Sequence, residues 1–399
     1  MSIYAPAPKP ASILGYHRIL APTAGVKVSP LCLGAMNFGD AWKDFMGECS
    51  KEQSFAVLDT FYDAGGNFID TANGYQNGES ETWIGEWMKA RGNRDQLVYV
   101  LPPLSTTNGE TNKPPSIATK YTTGFRNAHR ATEPLQSNNV GNSLKSMHIS
   151  IEHSLAKLQT NYIDLFYLHW WDFTTSIEEV MHGLNNLVTA GKVLYLGISD
   201  TPAWIVVKAN SYARANGLRP FSVYQGKWNA GLRDLERDII PMCRDQGMAI
   251  APWAAVGQGK FRTAEARKEG EVGSARAAQL EESDVKISEK LEEIAGKKGT
   301  NLHAIALAYV MHKTPYVFPI IGQRKVEHLK ANIDALSVEL SEEEIDEIEG
   351  AAPFDIGFPM NLIFRNNYKS SNTAADVFGT QITAHIDAPP HQPIVRPHK

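Results

Sequence analysis

The sequence predicts an α/β protein of the (β/α)8 TIM-barrel class, a single domain with an irregular C-terminal tail. Three observations carry that expectation. Eight short apolar runs are each followed by a stretch with helical spacing. The runs are apolar throughout instead of alternating with polar residues, as parallel strands covered on both faces must be. The span from Val28 to Leu336, about 300 residues, is the size such a barrel needs. The main competitor, a doubly wound dinucleotide fold, calls for G-x-G-x-x-G after its first strand. The nearest approach here, Gly257-Gln258-Gly259, continues into Lys260-Phe261-Arg262 with no third glycine. The expected boundaries are an N-terminal lead-in (1–27), the barrel (28–352) and the tail (353–399).

A Pro-rich lead-in ends near Ser12, and the first strand is expected within Val28–Ala35, bounded by Ser29-Pro30 and Gly34. Ser50 can cap a helix that carries Phe55, Leu58 and Phe61 at helical spacing, and Gly65-Gly66 stops it before a strand at Asn67–Ile69. A second helix carries Trp83, Ile84, Trp87 and Met88 and ends before Gly92. The alternation then runs through strand Ile117–Thr119, helix Val140–Leu158, strand Tyr162–Leu168, helix Ile177–Thr189 and strand Val193–Ile198. It continues with helix Pro202–Ala215, strand Phe221–Tyr224, helix Asp234–Asp245 and strand Met248–Ala251. The charged stretch Thr263–Ser288 reads as a solvated loop with a helical turn, or as a lid, since it follows strand seven on the functional face of a barrel. Helix Ala304–His312, strand Val317–Ile321 and helix Lys325–Leu336 complete the set. The Pro- and Asn-rich tail beyond Ala352 should be irregular and either pack across the barrel mouth or stay partly disordered.

The 399 residues carry 39 basic and 44 acidic side chains, a net charge of −5, so no broad basic surface is available for nucleic acid. The start MSIYAPAPKPAS has neither the basic opening nor the apolar core of a signal peptide. No run of about 18 apolar residues occurs without a charge, so a cytoplasmic protein without membrane contact is expected. Cys32, Cys49 and Cys243 lie far apart and lack C-x-x-C spacing, which fits reduced thiols and no metal site.

Barrel chemistry sits at the C-terminal ends of strands. Asp70 closes the second strand, Tyr75 follows five residues on, Lys120 closes the third and His169 the fourth. Taken singly, each has an ordinary explanation: Asp70 as a helix cap, Tyr75 as a loop aromatic, Lys120 as a solvated strand end, His169 as a satisfied core histidine. Together they have complementary ionisation behaviour. A tyrosine with a reference pKa near 10 transfers protons well at neutral pH only if a nearby cation favours its phenolate. Lys120 supplies that cation, Asp70 holds the ammonium, and a carbonyl bound between Tyr75 and His169 can take the tyrosine proton as a hydride reaches its carbon. Such a set is the one expected of a carbonyl-reductase site.

The stretches LCLGAMNFGDAWKDFMGE (31–48), GGNFIDTANGYQNGESETWIGEWM (65–88), IATKYTTG (117–124), LGISDTPAW (196–204), VYQGKWN (223–229) and IIGQRKVEHLKAN (320–332) resemble the aldo-keto reductases. The likeness is to the fungal aryl-alcohol dehydrogenase branch, and within it to norsolorinic acid reductase-like enzymes of polyketide clusters. It covers nearly the whole chain. It implies a (β/α)8 barrel, NADPH/NADP as cofactor, an aryl or polyketide-derived carbonyl as substrate, and the tetrad Asp70, Tyr75, Lys120 and His169. Tyr75 and His169 would also contact the substrate, and Asp70 would also face the cofactor.

The resemblance further implies that Ser199, Asp200 and Gln225 hold the nicotinamide carboxamide, although many relatives have Asn in place of Asp200. Trp253 would stack on the nicotinamide ring, with a core tryptophan as the ordinary alternative. Ala254, Val256, Gly257, Gly259, Lys260 and Arg262 would line the pyrophosphate side, and Gly322, Gln323, Arg324, Lys325, His328 and Asn332 the adenosine end. Arg324 and Lys325 at a helix start suit a 2′-phosphate, hence NADPH over NADH.

One departure stands out. Relatives run from an equivalent of Gln96-Leu97-Val98 directly into Ile117-Ala118-Thr119-Lys120, whereas here Tyr99–Ser116 intervenes, as a genuine insert or a retained intron, and calls the placing of Lys120 into question. Two other functional classes stay open at this level. One is an NADPH-binding regulatory subunit like the potassium-channel β subunits; the other is a Schiff-base lyase using Lys120.

Overall fold

The structure is a computed structural model that describes residues 6–94, 116–268, 280–365, 367–369 and 371–398. Eight parallel strands form the barrel: β3 (Cys32–Gly34), β4 (Phe68–Asp70), β5 (Ser116–Tyr121), β6 (Ile163–Leu168), β7 (Val193–Ser199), β8 (Val223–Lys227), β9 (Ala249–Trp253) and β10 (Ile320–Gly322). They pair in the order β10-β3-β4-β5-β6-β7-β8-β9. The ring closes through Tyr316–Phe318: the Ile250 N–H donates to the Tyr316 carbonyl at 2.9 Å and the Phe318 N–H to the Ile250 carbonyl at 2.9 Å. The predicted eighth strand, Val317–Ile321, therefore does two jobs in succession, bridging β9 at Val317 and pairing with β3 from Ile320.

The foot of the barrel holds an element that the sequence reading did not anticipate. Strands β1 (Arg18–Ala21) and β2 (Ala24–Val28) form an antiparallel hairpin. Its Leu20, Ala21, Ala24 and Val28 are buried in the interior cluster with Cys32, Phe68, Leu165, Tyr167, Val223 and Phe318. The hairpin plugs the barrel where apolar strand interiors would otherwise meet water. Val28 thus belongs to the plug and not to the first barrel strand. The run Val28–Ala35 is divided at Ser29-Pro30, where the Ser29 N–H turns to the Asn67 side chain at 2.6 Å and proline has no N–H to offer. Inside the barrel, a β-carbon on Gly197 would run into the Tyr167 ring, so the absent side chain makes room for that aromatic.

The outer helices follow the expected apolar spacing. Ser50 caps helix Lys51–Asp63 in a capping box with Gln53. The helix expected from Val140 starts only at Leu144, because Gly141 takes φ +85 and the Ser143 side chain accepts from the Ser146 N–H. A larger difference falls in the charged stretch Thr263–Ser288. It contains a helical turn at Ala264–Lys268, but its end is the first part of helix Glu282–Lys298. That helix buries Ile287, Leu291, Ile294 and Ala295 in the core, a stripe masked in the sequence by the charges on the other face. Helices Glu79–Arg91, Ile177–Thr189, Ala203–Ala215, Ile239–Gln246, Leu302–Lys313, Val326–Asp334 and Glu342–Gly350 complete the layer.

The tail's described contacts run from the segment between β8 and the helix after it to the foot of the barrel. Phe354 lies between the guanidinium groups of Arg233 and Arg237, at 4.8 and 4.5 Å. Lys369 pairs with Asp346 at 2.5 Å, Gln392 donates to the Tyr316 hydroxyl at 3.0 Å, and His398 stacks on Tyr16 at 3.9 Å. Nearly all of the interruption Tyr99–Ser116 lies outside the described residues; Ser116 itself opens β5, opposite Phe68. Cys32, Cys49 and Cys243 are buried free thiols. Among the described residues no helix is long and apolar enough to cross a membrane, and no His/Cys/Asp/Glu group could hold a metal.

Candidate active site

Strand alternation decides which side chains enter the barrel. Ala118 faces the interior cluster, so two residues on Lys120 points inward as well, while Thr119 points out to Glu81, donating to its carboxylate at 2.6 Å. Asp70, at the end of the neighbouring strand, pairs in register with Ala118. The Lys120 ammonium spends its three protons on Asp70 Oδ1 (2.5 Å), the Thr71 carbonyl (2.7 Å) and the Tyr75 hydroxyl (3.2 Å). Gln225 donates to the other Asp70 oxygen at 3.0 Å. Asp70 is therefore no helix cap and Lys120 no solvated strand end.

Tyr75 begins a short 3-10 turn above β4. Its loop is held from both sides: the Asn73 N–H donates to the Lys120 carbonyl at 3.1 Å, and Lys157 reaches the Asn73 carbonyl at 2.8 Å while pairing with buried Glu81 at 2.7 Å. The rings of Tyr75 and His169 stand edge to face, 5.9 Å apart, with Lys120 4.8 Å from the Tyr75 ring centre. All four residues of the predicted tetrad thus meet at the C-terminal mouth.

Burial pulls the Lys120 pKa down, but the Asp70 carboxylate more than reverses this and raises it to about 12, so the ammonium persists. Burial pushes His169 down to about 3, helped by the Lys120 charge, which leaves the imidazole neutral. Tyr75 departs from the sequence expectation. Burial raises its pKa, the Lys120 cation opposes that rise, and the balance remains above the ordinary tyrosine value. The free phenol is a protonated donor, and Lys120 acts on the phenolate only when it forms.

The ends of β7, β8 and β9 make the other half of the mouth. Ser199 donates to Asp200 Oδ2 at 2.8 Å, and Trp253 Nε1 donates to Asp200 Oδ1 at 3.3 Å. Trp253 is half-buried, with Lys227 5.5 Å from its ring, and so is not a core tryptophan. Beyond it, Ala254, Gly257, Gln258 and Gly259 all have positive φ (61°, 83°, 51° and 83°), and Val256 lies among them. Lys260 pairs with Asp284 at 2.7 Å, and Arg262 Nε donates to the Gly259 carbonyl at 2.7 Å. Gly322 ends β10, followed by buried Gln323 and by Arg324 and Lys325 immediately before helix Val326–Asp334, which bears exposed His328 and buried Asn332. Arg324 reaches over Gly47 so closely that a β-carbon there would collide with its guanidinium.

Several contributors escaped the sequence reading. Trp42 packs edge-on to Tyr75 at 6.4 Å and donates to Asn77 at 3.3 Å; Thr123 joins His169 (3.4 Å) and Trp170 (3.0 Å); Glu81 and Lys157 brace the tyrosine loop. Trp42 lies in the AMNFGDAWKDF stretch and had a signal, an aromatic in the loop after the first strand. Glu81 and Lys157 had none, since one charged residue on each of two helices looks like solvated surface.

Residues 30–353 match the model of the aldo/keto reductase family. Norsolorinic acid reductase A of Aspergillus parasiticus is 52% identical over 395 residues, covering 98% of this chain and 96% of the relative. Norsolorinic acid reductase B of Dothistroma septosporum is 54% identical over 379 residues (93% and 92%). The aryl-alcohol dehydrogenase [NADP(+)] of Phanerodontia chrysosporium is 50% identical over 412 residues, covering both chains fully. With eight parallel strands closed into a barrel and a family match across most of its length, the chain belongs to the aldo/keto reductase family of oxidoreductases.

Proposed function

We propose that this protein reduces an aryl or polyketide-derived aldehyde or ketone to the alcohol, reversibly and with NADPH, as a cytoplasmic step of fungal secondary metabolism. The observation that carries the reading is the Lys120 ammonium held between Asp70 and the Tyr75 hydroxyl, beside a neutral His169. The names of the relatives support the substrate class and the choice of cofactor.

The residues present fit such a cofactor. The loop Ala254–Gly259 carries four positions of positive φ, a backbone state from which anion-binding loops are built. Arg324 and Lys325 precede a nine-residue helix whose terminal amides and cations suit a further phosphate. Ser199, Gln225 and Trp253 would hold the nicotinamide end, and NADPH would supply the hydride. Tyr75 donates its hydroxyl proton to the carbonyl oxygen, where charge develops. Lys120 stabilises the phenolate that remains, and Asp70 keeps Lys120 charged and in place. His169, neutral, orients the oxygen by a hydrogen bond without competing for the proton.

A Schiff-base role for Lys120 finds no support, because that chemistry needs a free neutral amine and this one is charged and fully bonded. The test is NADPH consumption with a panel of aryl aldehydes and anthraquinone ketones. Turnover is expected with at least one class. Tight NADPH binding with no turnover across the panel would favour a regulatory subunit instead.

A further inference from the structure

We infer that Asp200 makes this site discriminate between the oxidised and reduced cofactor, binding NADP+ in preference to NADPH through a carboxylate fixed at the nicotinamide end. The inference rests on the cofactor reading above and deepens it.

Asp200 follows the last residue of β7 in a left-handed conformation, φ +43, a backbone state that costs most residues and that aspartate tolerates best after glycine and asparagine. Two contacts fix the backbone there: the Asp200 N–H donates to the Gln225 carbonyl at 3.0 Å, and the Thr201 hydroxyl to the Ser199 carbonyl at 2.8 Å. The side chain is thereby thrown across the end of β8 to the tryptophan on β9. Each carboxylate oxygen then accepts one hydrogen bond, from Ser199 and from Trp253 Nε1. Burial raises the Asp200 pKa, while the hydrogen bonds from Ser199 and Trp253 and the Lys120 charge oppose the rise and favour the carboxylate.

Among the described residues, no cation forms an ion pair with this carboxylate. Lys120 acts on it only at longer range, with its protons committed to Asp70, Thr71 and Tyr75. Lys227 stands over the Trp253 ring. A negative charge at Asp200 is thus met by two neutral donors and, among the described residues, by no cation in an ion pair.

Tyr75 and His169 take the sector of the mouth above β4 and β6, so a ring that exchanges hydride with a carbon bonded at Tyr75 must occupy the adjoining sector, above β7 to β9. That sector is the one Asp200 and Trp253 line. The oxidised nicotinamide ring is a cation and the reduced ring is neutral. Asp200 is open to solvent at the mouth, and a carboxylate lining that sector, covered once a ring lies against it, lowers the free energy of the former and leaves the latter little changed. An asparagine at this position can keep the Trp253 bond through its oxygen and donate its Nδ2 to the Ser199 hydroxyl, without the charge, so the preference is a property of this side chain.

The test compares wild type with Asp200→Asn by fluorescence titration of NADP+, NADPH and 2′,5′-ADP in the absence of substrate. The variant keeps side-chain shape and tolerance of positive φ, and an unchanged melting profile checks its fold. Unchanged 2′,5′-ADP affinity isolates the nicotinamide end. The expected result is about a tenfold loss of NADP+ affinity, with NADPH and 2′,5′-ADP held within about twofold. Parallel losses for both cofactors, or no change in either, would overturn the inference alone. Failure of wild type to bind either nicotinamide cofactor would overturn the reading beneath it as well.

Discussion

Lys120 Nζ lies 2.5 Å from Asp70 Oδ1, and the two side chains are 0% and 5% exposed. An ion pair this dry depends on both partners, because removing one leaves a buried charge unmatched. Lys120→Met should destabilise the fold by about 3–5 kcal/mol, and adding Asp70→Asn should recover much of that loss. Urea unfolding of the two single variants and the double variant measures the coupling. Additive losses would mean that the pair does not act as a unit.

The pH dependence of reduction follows from the three pKa directions. Lys120 stays charged up to about 12 and His169 stays neutral down to about 3, so neither titrates near neutrality. Tyr75 must be protonated to donate, and burial raises its pKa. The rate of the chemical step should therefore be level from about pH 6 to pH 9 and fall only on the alkaline side, as the phenol loses its proton. Single-turnover rates across that range provide the measurement, and an acid limb near pH 6.5 would show instead that His169 titrates in the working enzyme.

How much of this site was legible depends on where each residue's signal lay. Asp70, Lys120 and His169 stand at or within one residue of the ends of apolar strands, and a strand end in a barrel fixes both height and side, so three positions followed from pattern alone. Tyr75 was placed by its motif, but the sign of its pKa shift was not, because burial and the Lys120 field oppose each other and only geometry weighs them. The hairpin Arg18–Val28 went unseen because its strands are short and half-exposed. Helix Glu282–Lys298 went unseen because its charges dilute the apolar stripe. Glu81 and Lys157 form their ion pair between different helices, a relation that no local pattern encodes.

The interruption before β5 makes a separate prediction. Arg94 pairs with Asp164 Oδ2 at 3.0 Å, and the same oxygen accepts from the Ile117 N–H at 3.0 Å, so one buried carboxylate ties together the two sides of the segment. Lys120 is in place regardless of what lies between. Joining Val98 to Ser116 should preserve turnover and raise or hold the melting temperature, with cofactor concentration matched. Loss of soluble protein on deletion would mean that the segment supplies structure of its own.

Cofactor selectivity should reside at the start of helix Val326–Asp334. Replacing Arg324 and Lys325 together by alanine removes charge-assisted bonds to a group that only NADPH carries. Its affinity should fall by about 1–3 kcal/mol, with NADH hardly affected. Equal losses for the two cofactors in a binding titration would show that these side chains do not read the 2′-phosphate.

The most direct test of the account is Tyr75→Phe, measured for turnover of an aryl carbonyl and, on the same samples, for NADPH affinity by fluorescence titration. Phenylalanine keeps the ring against His169 and Trp42 and removes only the hydroxyl that Lys120 bonds at 3.2 Å. The account predicts a fall in turnover of about 10²–10⁴-fold, with NADPH affinity within about twofold of wild type. Turnover close to wild type, with the cofactor still bound, would contradict the assignment of Tyr75 as the proton donor.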